Sequence, residues 1–345
     1  MKMYMIPSHR DPHPYSSHDP LRGTTGIIDN RHRSLNKYNF SEIPTVIINL
    51  IRSYIKLKTR KRRIPPSAEE LERIARGYIV TTGLDGFFPP GEIRLKELAA
   101  RAASLAKKSS RQEGLSGPKQ IKDLMTLGLY QTVIYLDDSG SMNSGSRIQD
   151  MKKVVKRIVN IATKIDPEGI SIRFMNARDD SRHNHICRTS ESREIMGKVT
   201  FGGLTPLGEM LRKKILDPMV YDAVRSKNMT RPLLVSVITD GKPYKEPVET
   251  FKEEILECRR FLLRKGFPEN AVLFQISQIG DSKDAAKCIK GLDRERDLRS
   301  ILYCTSQTLD VQLSYYRRKK RDMEKWLLKT LTYPMNSYGD RRNAK

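Results

Sequence analysis

From about residue 129 onward, short continuous apolar runs alternate with longer amphipathic stretches, and this alternation restricts the fold more than any other feature of the sequence. The runs TVIYL (132–136) and LLVSVIT (233–239) are typical of strands buried on both faces of a parallel sheet. The stretch 147–165 carries apolar residues at helical spacing, as expected of a helix packed on such a sheet. Strands that alternate with helices predict a doubly wound α/β fold, in which a mostly parallel sheet is flanked by helices. Further strands are predicted at 170–175, 271–279 and 300–304.

The segments outside this region have different sequence patterns. The N-terminal segment is rich in Pro, His, Ser and Arg and lacks apolar periodicity, which is typical of disorder. The motif SAEE, which begins at Ser67, is a capping box that predicts a helix start, and a second helix is predicted from about Pro90. We therefore expect a disordered basic N-terminal region (1–64), a small helical module (65–118), an α/β domain (129–331, with its core at 129–306 and a C-terminal helix at 308–331) and a disordered tail (332–345).

The chain has 345 residues and a formal net charge of +24, so its surface attracts anionic partners. Because the basic residues are spread along the chain, the charge favours general attraction to polyanions over a dedicated nucleic-acid-binding arm. Two basic runs are each open to two interpretations. KLKTRKRR (56–63) is either a solvated linker or a nuclear-import or phosphate-binding patch. RRKKR (317–321) is either the solvated face of the C-terminal helix or a docking patch for acidic partners.

The cysteines and the apolar content indicate a cellular compartment. The four cysteines are far apart and form no C-x-x-C pair, which is typical of reduced thiols in an intracellular protein. The first residues contain no apolar segment of the secretory type, and no run of about 18 apolar residues occurs in the chain. We therefore expect a cytoplasmic or nuclear protein that is not secreted and does not insert into membranes.

Side-chain oxygens are concentrated directly after two of the predicted strands. Asp137, Ser139 and Ser141 form a D-x-S-x-S pattern after the first strand, and Asp240 follows the strand 233–239. Thr205 lies in the glycine-rich segment FGGLTPLG, at the start of a predicted helix. The carboxyl ends of parallel strands are the usual ligand-binding edge of such a sheet. Carboxylate and hydroxyl oxygens without imidazole or thiolate suit a hard cation such as Mg²⁺, with Mn²⁺ as an alternative, rather than zinc.

These three motifs, D-x-S-x-S, G-G-x-T-P-x-G and T-D-G, together resemble the metal-ion-dependent adhesion site of the von Willebrand factor A (VWA) domain. The resemblance covers about residues 129–306 together with the C-terminal helix, and the strings TVIYLDDSGSM and PLLVSVITDG are most similar to intracellular, fungal-type proteins with a single such domain. It implies that Ser139, Ser141 and Thr205 contact the metal, whereas Asp137 and Asp240 act largely through water. The residues that it places near a bound partner are Gly140, Met142, Gly203, Leu204 and Gly241.

The resemblance also implies a function. A Mg²⁺ ion held mostly by neutral hydroxyls keeps an open coordination position, and that position can accept an Asp or Glu carboxylate from a partner protein. We therefore expect a metal-dependent protein-interaction module. The alternative is a basic scaffold or accessory subunit that binds nucleic acid or acidic surfaces in a larger complex, with the metal in a structural role only.

The sequence lacks the motifs that common classes of enzyme require. The chain has no G-x-x-x-x-G-K-[ST] phosphate-binding loop and no G-x-S-x-G nucleophile elbow. Aspartyl-phosphate phosphatases need a second carboxylate two residues after the nucleophile, where this chain has Ser139. We therefore expect a binding protein rather than an enzyme.

Two further features receive structural interpretations. Asp138 is expected to be an outward-facing or loop-capping acid rather than a metal ligand. His183, His185 and Cys187 lack the spacing of a structural zinc site, so we expect them to lie in an exposed loop.

Overall fold

A computed structural model describes residues 65–108, 114–241 and 243–343, and for Asn343 it describes the backbone only. The predictions of a disordered N-terminal region (1–64) and of a functional basic run at 56–63 fall outside these residues. Residues Ile64–Lys345 form one compact unit.

The core of the unit is a sheet of five parallel strands. The strands are β1 (Gln131–Leu136), β2 (Ser171–Phe174), β3 (Leu233–Thr239), β4 (Val272–Gln278) and β5 (Leu302–Cys304). In the order β2-β1-β3-β4-β5, every neighbouring pair is parallel, which confirms the predicted doubly wound α/β fold class. The interior strands β1, β3 and β4 are almost wholly buried, as their continuous apolar sequences require.

Helices surround the sheet. The helices are α1 (Ala68–Thr82), α2 (Ile93–Lys107), α3 (Pro118–Leu129), α4 (Arg147–Ile165), α5 (Thr189–Lys198), α6 (Leu207–Leu211), α7 (Asp222–Arg225), α8 (Thr250–Arg264), α9 (Lys283–Arg294), α10 (Leu309–Tyr315) and α11 (Lys320–Asn343). The chain continues from α6 into α7 through a π-helical segment, Arg212–Tyr221, that contains Pro218.

The strand order reverses between β1 and β3. The chain passes from β1 to β2 on one side and then crosses to β3 on the other side of β1. The register pairs Leu136 with Ile238, so the two strands end side by side. Such a switch point opens a crevice at the carboxyl edge of the sheet, where doubly wound proteins bind ligands.

The N-terminal helices are part of this unit rather than a separate module, in contrast to the predicted division at 118. Arg94 on α2 and Arg231 before β3 both bind the buried carboxylate of Asp166, at 3.0 and 2.7 Å. Tyr78 on α1 donates its hydroxyl hydrogen to the carbonyl oxygen of Met335 on α11 at 3.2 Å. The apolar side chains of α1, α2 and α3 join the same hydrophobic core as the sheet. The module has no boundary because its apolar face is buried against the rest of the unit.

The C-terminal segment differs from the prediction of one helix over 308–331 and a disordered tail over 332–345. It forms two helices, α10 and α11, and the second continues to Asn343. Helix α11 continues past Pro334 because Met335 and Tyr338 are buried in the interior. The basic run 317–321 covers the break between the two helices and the start of α11, and it is exposed.

Among the described residues, no helix is long and apolar enough to cross a lipid bilayer.

Candidate metal centre

Asp137 lies at the centre of the polar site, between the ends of β1 and β3. Its backbone N–H donates to the carbonyl oxygen of Ile238 at 2.9 Å, which extends the pairing of the two strands by one bond. Its carboxylate is fully buried and accepts hydrogen bonds from the Ser139 N–H at 3.0 Å and the Thr239 hydroxyl at 2.6 Å. This carboxylate therefore fixes the first turn of the oxygen-rich loop to the neighbouring strand.

A chain of hydroxyls leads from this turn to Asp240. The hydroxyl oxygens of Ser139 and Ser141 are 3.0 Å apart, within hydrogen-bonding distance. The Ser141 hydroxyl donates to Oδ1 of Asp240 at 2.7 Å. Ser139 and Asp240 are buried and Ser141 is exposed, so the chain of oxygens runs from the interior to the surface.

Thr205 approaches this chain from a third loop. Its hydroxyl oxygen lies 3.7 Å from the position that a Cβ on Gly241 would occupy, so it faces the residue that follows Asp240. The side chain of Thr205 is buried, and within the described part of the chain its hydroxyl makes no hydrogen bond. A hydroxyl that makes no hydrogen bond to the described residues is available to an ion or a water molecule.

The loop that carries Thr205 is held against the oxygen-rich loop by backbone bonds. Gly140 N–H donates to the carbonyl oxygen of Gly203 at 3.2 Å, and Gly202 N–H donates to that of Asp138 at 2.8 Å. Gly203 has a φ of +87°, and a Cβ there would lie 2.8 Å from Oδ1 of Asn176, so both the backbone and the space require glycine.

Asp138 caps a loop and does not face outward. Its buried carboxylate accepts hydrogen bonds from the backbone N–H groups of Asn176 and Ala177, each at 2.7 Å. The side-chain amide of Asn176 donates both to Asp138, at 3.1 Å, and to the carbonyl oxygen of Leu204, at 2.9 Å. Asp138 thus acts through Asn176 to position the loop next to Thr205.

The residues that the resemblance places near a partner occupy different environments. Gly140, Gly203 and Leu204 are exposed, with Leu204 at 39%, and Gly241 is half-buried. Met142 is fully buried, so its assignment to the partner-facing surface is wrong. It lies in the short 3₁₀ turn Gly140–Asn143, which directs its side chain into the hydrophobic core.

Arg147, the first residue of α4, is a site residue that the sequence motifs do not include. Its guanidinium donates to Oδ2 of Asp240 at 2.7 Å and to the carbonyl oxygen of Ser141 at 3.2 Å. It also donates to Oδ1 of Asp281, beyond the end of β4, at 2.9 Å. A cation at a helix N-terminus is unfavourable next to the helix dipole unless acids compensate it, so the sequence indicates that Arg147 has an acidic neighbour but does not identify Asp240 or Asp281.

Burial and charge interactions raise the pKa values of Asp137 and Arg147 and lower that of Asp281. Burial raises the pKa of Asp137 despite its hydrogen bonds from Ser139 and Thr239, and the nearby charge of Asp240 acts in the same direction. Burial alone would lower the pKa of Arg147, but its bonds to Asp240 and Asp281 outweigh burial and raise it. The same bond to Arg147 lowers the pKa of the exposed Asp281.

The donor set suits one class of ion. It consists of two carboxylates and three hydroxyls, so it offers oxygen ligands only, which hard cations such as Mg²⁺ and Mn²⁺ prefer. No three His, Cys, Asp or Glu side chains in the described ranges are grouped to hold a metal ion. His185 and Cys187 are exposed, as predicted for this loop, but His183 is buried with its ring 5.8 Å from that of Phe174.

Fold and site together define a doubly wound, parallel α/β protein with an oxygen-lined site at its topological switch point. No protein-family model and no curated protein sequence matches the chain. Among solved structures, the chain is similar to proximal thread matrix protein 1 from the mussel byssus, with 16% identity over 62% of this chain and 52% of that chain and a TM-score of 0.35. It is also similar to the manganese-loaded Plasmodium vivax TRAP protein, with 16% identity over 55% of this chain and 72% of that chain and a TM-score of 0.34. The match thus spans about half of the mussel protein.

Proposed function

We propose that this chain is a metal-dependent protein-interaction module of the VWA type, with a divalent cation, Mg²⁺ or Mn²⁺, held at the carboxyl ends of β1 and β3. The observation that carries the proposal is the convergence of oxygens from three separate loops. Asp137, Ser139, Ser141 and Asp240 are joined by hydrogen bonds of 2.7 to 3.0 Å, and the hydroxyl of Thr205 faces the residue after Asp240.

Each residue has a role that follows from its contacts. Ser139, Ser141 and Thr205 would supply the hydroxyl oxygens nearest the ion. The Asp137 carboxylate accepts a hydrogen bond from the backbone N–H of Ser139, and the Asp240 carboxylate accepts one from the Ser141 hydroxyl. The two acids therefore orient the hydroxyls and provide the negative charge. When bound, the ion supplies a Lewis-acidic position that accepts one more oxygen ligand.

A partner protein would provide that ligand from an Asp or Glu side chain. Gly140 and Gly203 leave the backbone exposed beside Ser141, and Leu204 offers an apolar contact at the rim. Small residues around a charged centre allow a partner's backbone to approach closely. On this proposal the chain is an intracellular binding protein, similar to fungal-type proteins with a single VWA domain, and not an enzyme.

The test is capture of partners by the full-length chain in parallel with Mg²⁺ and with EDTA. We expect the partners retained in Mg²⁺ to be lost in EDTA and also lost with Thr205→Ala in Mg²⁺. Ser144→Ala is the matched control, because Ser144 is exposed beside the site and its side chain makes no hydrogen bond among the described residues. Equal capture with and without the chelator would reject the metal-dependent function.

The alternative function is a basic scaffold that binds nucleic acid or an acidic surface. The observation that favours it is the exposed run 317–321 at the break between α10 and α11, in a chain of net charge +24. Binding of this kind falls steeply with salt concentration and does not respond to EDTA. The same capture experiment, repeated over a salt series, therefore separates the two functions.

A further inference from the structure

Arg147 lies at the edge of the site, where its side chain is surrounded by hydrogen-bond acceptors from three loops. The guanidinium contacts Oδ2 of Asp240, the carbonyl oxygen of Ser141 and Oδ1 of Asp281, at 2.7 to 3.2 Å. A Cβ on Gly280 would lie 2.3 Å from Nε of Arg147, so a larger residue there would displace the guanidinium, and the φ of +79° at Gly280 also favours glycine. Only 16% of the Arg147 side chain is exposed.

This contact changes the charge of the site. One oxygen of Asp240 accepts the Ser141 hydroxyl and the other accepts Arg147, so both carboxylate oxygens are already engaged by the protein. The carboxylate that provides much of the site's negative charge is therefore paired with a permanent cation. Charge-assisted bonds of this kind are stronger than neutral ones, and a nearby positive charge repels a divalent ion.

We propose that Arg147 is a tethered counter-cation that keeps the site assembled around Asp240 and lowers its affinity for divalent metal. The inference rests on the proposed function, because it concerns the same site. Arg147 is a positioning residue, since it acts through Asp240 and Ser141. Asp281 shares the guanidinium from the outer side and limits how much of its charge reaches Asp240.

The experiment measures binding of Mn²⁺ alone to the full-length chain by titration calorimetry at constant ionic strength. Arg147→Gln removes the cation and keeps a hydrogen-bond donor, and we expect it to bind Mn²⁺ on the order of tenfold more tightly. The matched control is Lys152→Gln, which removes an exposed positive charge from the same helix, and we expect no more than about a twofold change because of solvent screening.

Arg147→Lys keeps the charge but has one nitrogen in place of the two guanidinium nitrogens that contact the site, so we expect an affinity for Mn²⁺ between those of the wild type and Arg147→Gln. This second variant still tests the inference if Arg147→Gln does not fold. Unchanged or weaker Mn²⁺ binding by the folded Arg147 variants, with a wild type that binds, would overturn the inference and leave the proposed function standing. Binding by Arg147→Gln alone would support the inference, and absence of binding in every folded variant would reject the proposed function itself.

Discussion

The hydroxyl of Thr239 donates to Oδ2 of Asp137 at 2.6 Å, and this bond joins the end of β3 to the first residue after β1. The same hydroxyl accepts the N–H of Gly241 at 3.2 Å, so it also shapes the turn that presents Asp240. One buried threonine thus sets the relative position of the two acids on which the proposed metal site depends.

Thr239→Val should therefore destabilise the protein. The change keeps the shape of the side chain but removes one donor from a buried carboxylate, which costs about 1–3 kcal/mol. Urea unfolding of both proteins measures the loss. Thr200→Val, on an exposed threonine, serves as the control and should change stability by less than about 0.5 kcal/mol. Equal effects of the two substitutions would show that the bond to Asp137 is unimportant.

Asp138→Ala should cost more than Thr239→Val. The buried carboxylate accepts three hydrogen bonds from Asn176 and Ala177, and its loss leaves two backbone N–H groups without that partner. We expect a loss of about 2–4 kcal/mol in urea unfolding, because hydrogen bonds to charged groups are the stronger class. Asp297→Ala, at an exposed acid, should stay near the wild-type value. A loss of similar size in the two variants would contradict the loop-capping role.

Met335→Ala should destabilise the protein by about 2–4 kcal/mol, as expected for a fully buried methionine. Met335 lies in the part of α11 for which the sequence predicts a disordered tail, so this substitution tests whether that segment is packed. The control is Lys329→Ala, at an exposed position on the same helix. Wild-type stability of Met335→Ala in urea would mean that the end of α11 is not part of the core.

Glu168 should make the stability depend on pH in the acid range. Burial would raise its pKa, but the charges of Arg94 and Arg231 outweigh burial and lower it. Because the folded-state pKa lies below the ordinary value, the ionised group stabilises the fold above that ordinary value, and the contribution is lost as pH falls through the folded-state pKa.

The urea midpoint of the wild type should therefore fall between about pH 5 and pH 3 by more than that of Glu168→Gln. The effect is modest because about half of the Glu168 side chain is exposed and the ion pair is screened by solvent. Glu97→Gln, at an exposed acid without an ion pair among the described residues, should keep the wild-type slope. Identical slopes for all three proteins would remove Glu168 from the pH response.

The sheet could be predicted from sequence because its strands are continuous apolar runs. In a chain where such runs alternate with amphipathic stretches, a short apolar run is best explained as a buried strand. The meeting of Asp137 with Asp240 follows from that sheet, since parallel strands that are neighbours end at the same edge. Thr205 needed the family resemblance, because nothing in its local sequence shows that its loop lies against Gly140.

What could not be predicted depends on contacts between distant residues. The burial of Met142 follows from a short 3₁₀ turn, and the continuation of α11 follows from the burial of Met335 and Tyr338. Arg147 forms ion pairs with Asp240 and Asp281, which lie on two other loops, and the spacing of these residues in the sequence does not predict the contacts.

The measurement that most directly tests the proposed metal site is a calorimetric titration of Mn²⁺ into the wild-type chain and into Thr205→Ala. The Thr205 hydroxyl makes no hydrogen bond to the described residues, so its removal should affect an ion more than the fold. We predict one ion bound per wild-type chain and an affinity lower by about tenfold or more in Thr205→Ala, with unchanged urea stability in the absence of metal. No binding by the wild type, or equal binding by the two proteins, would contradict the metal site.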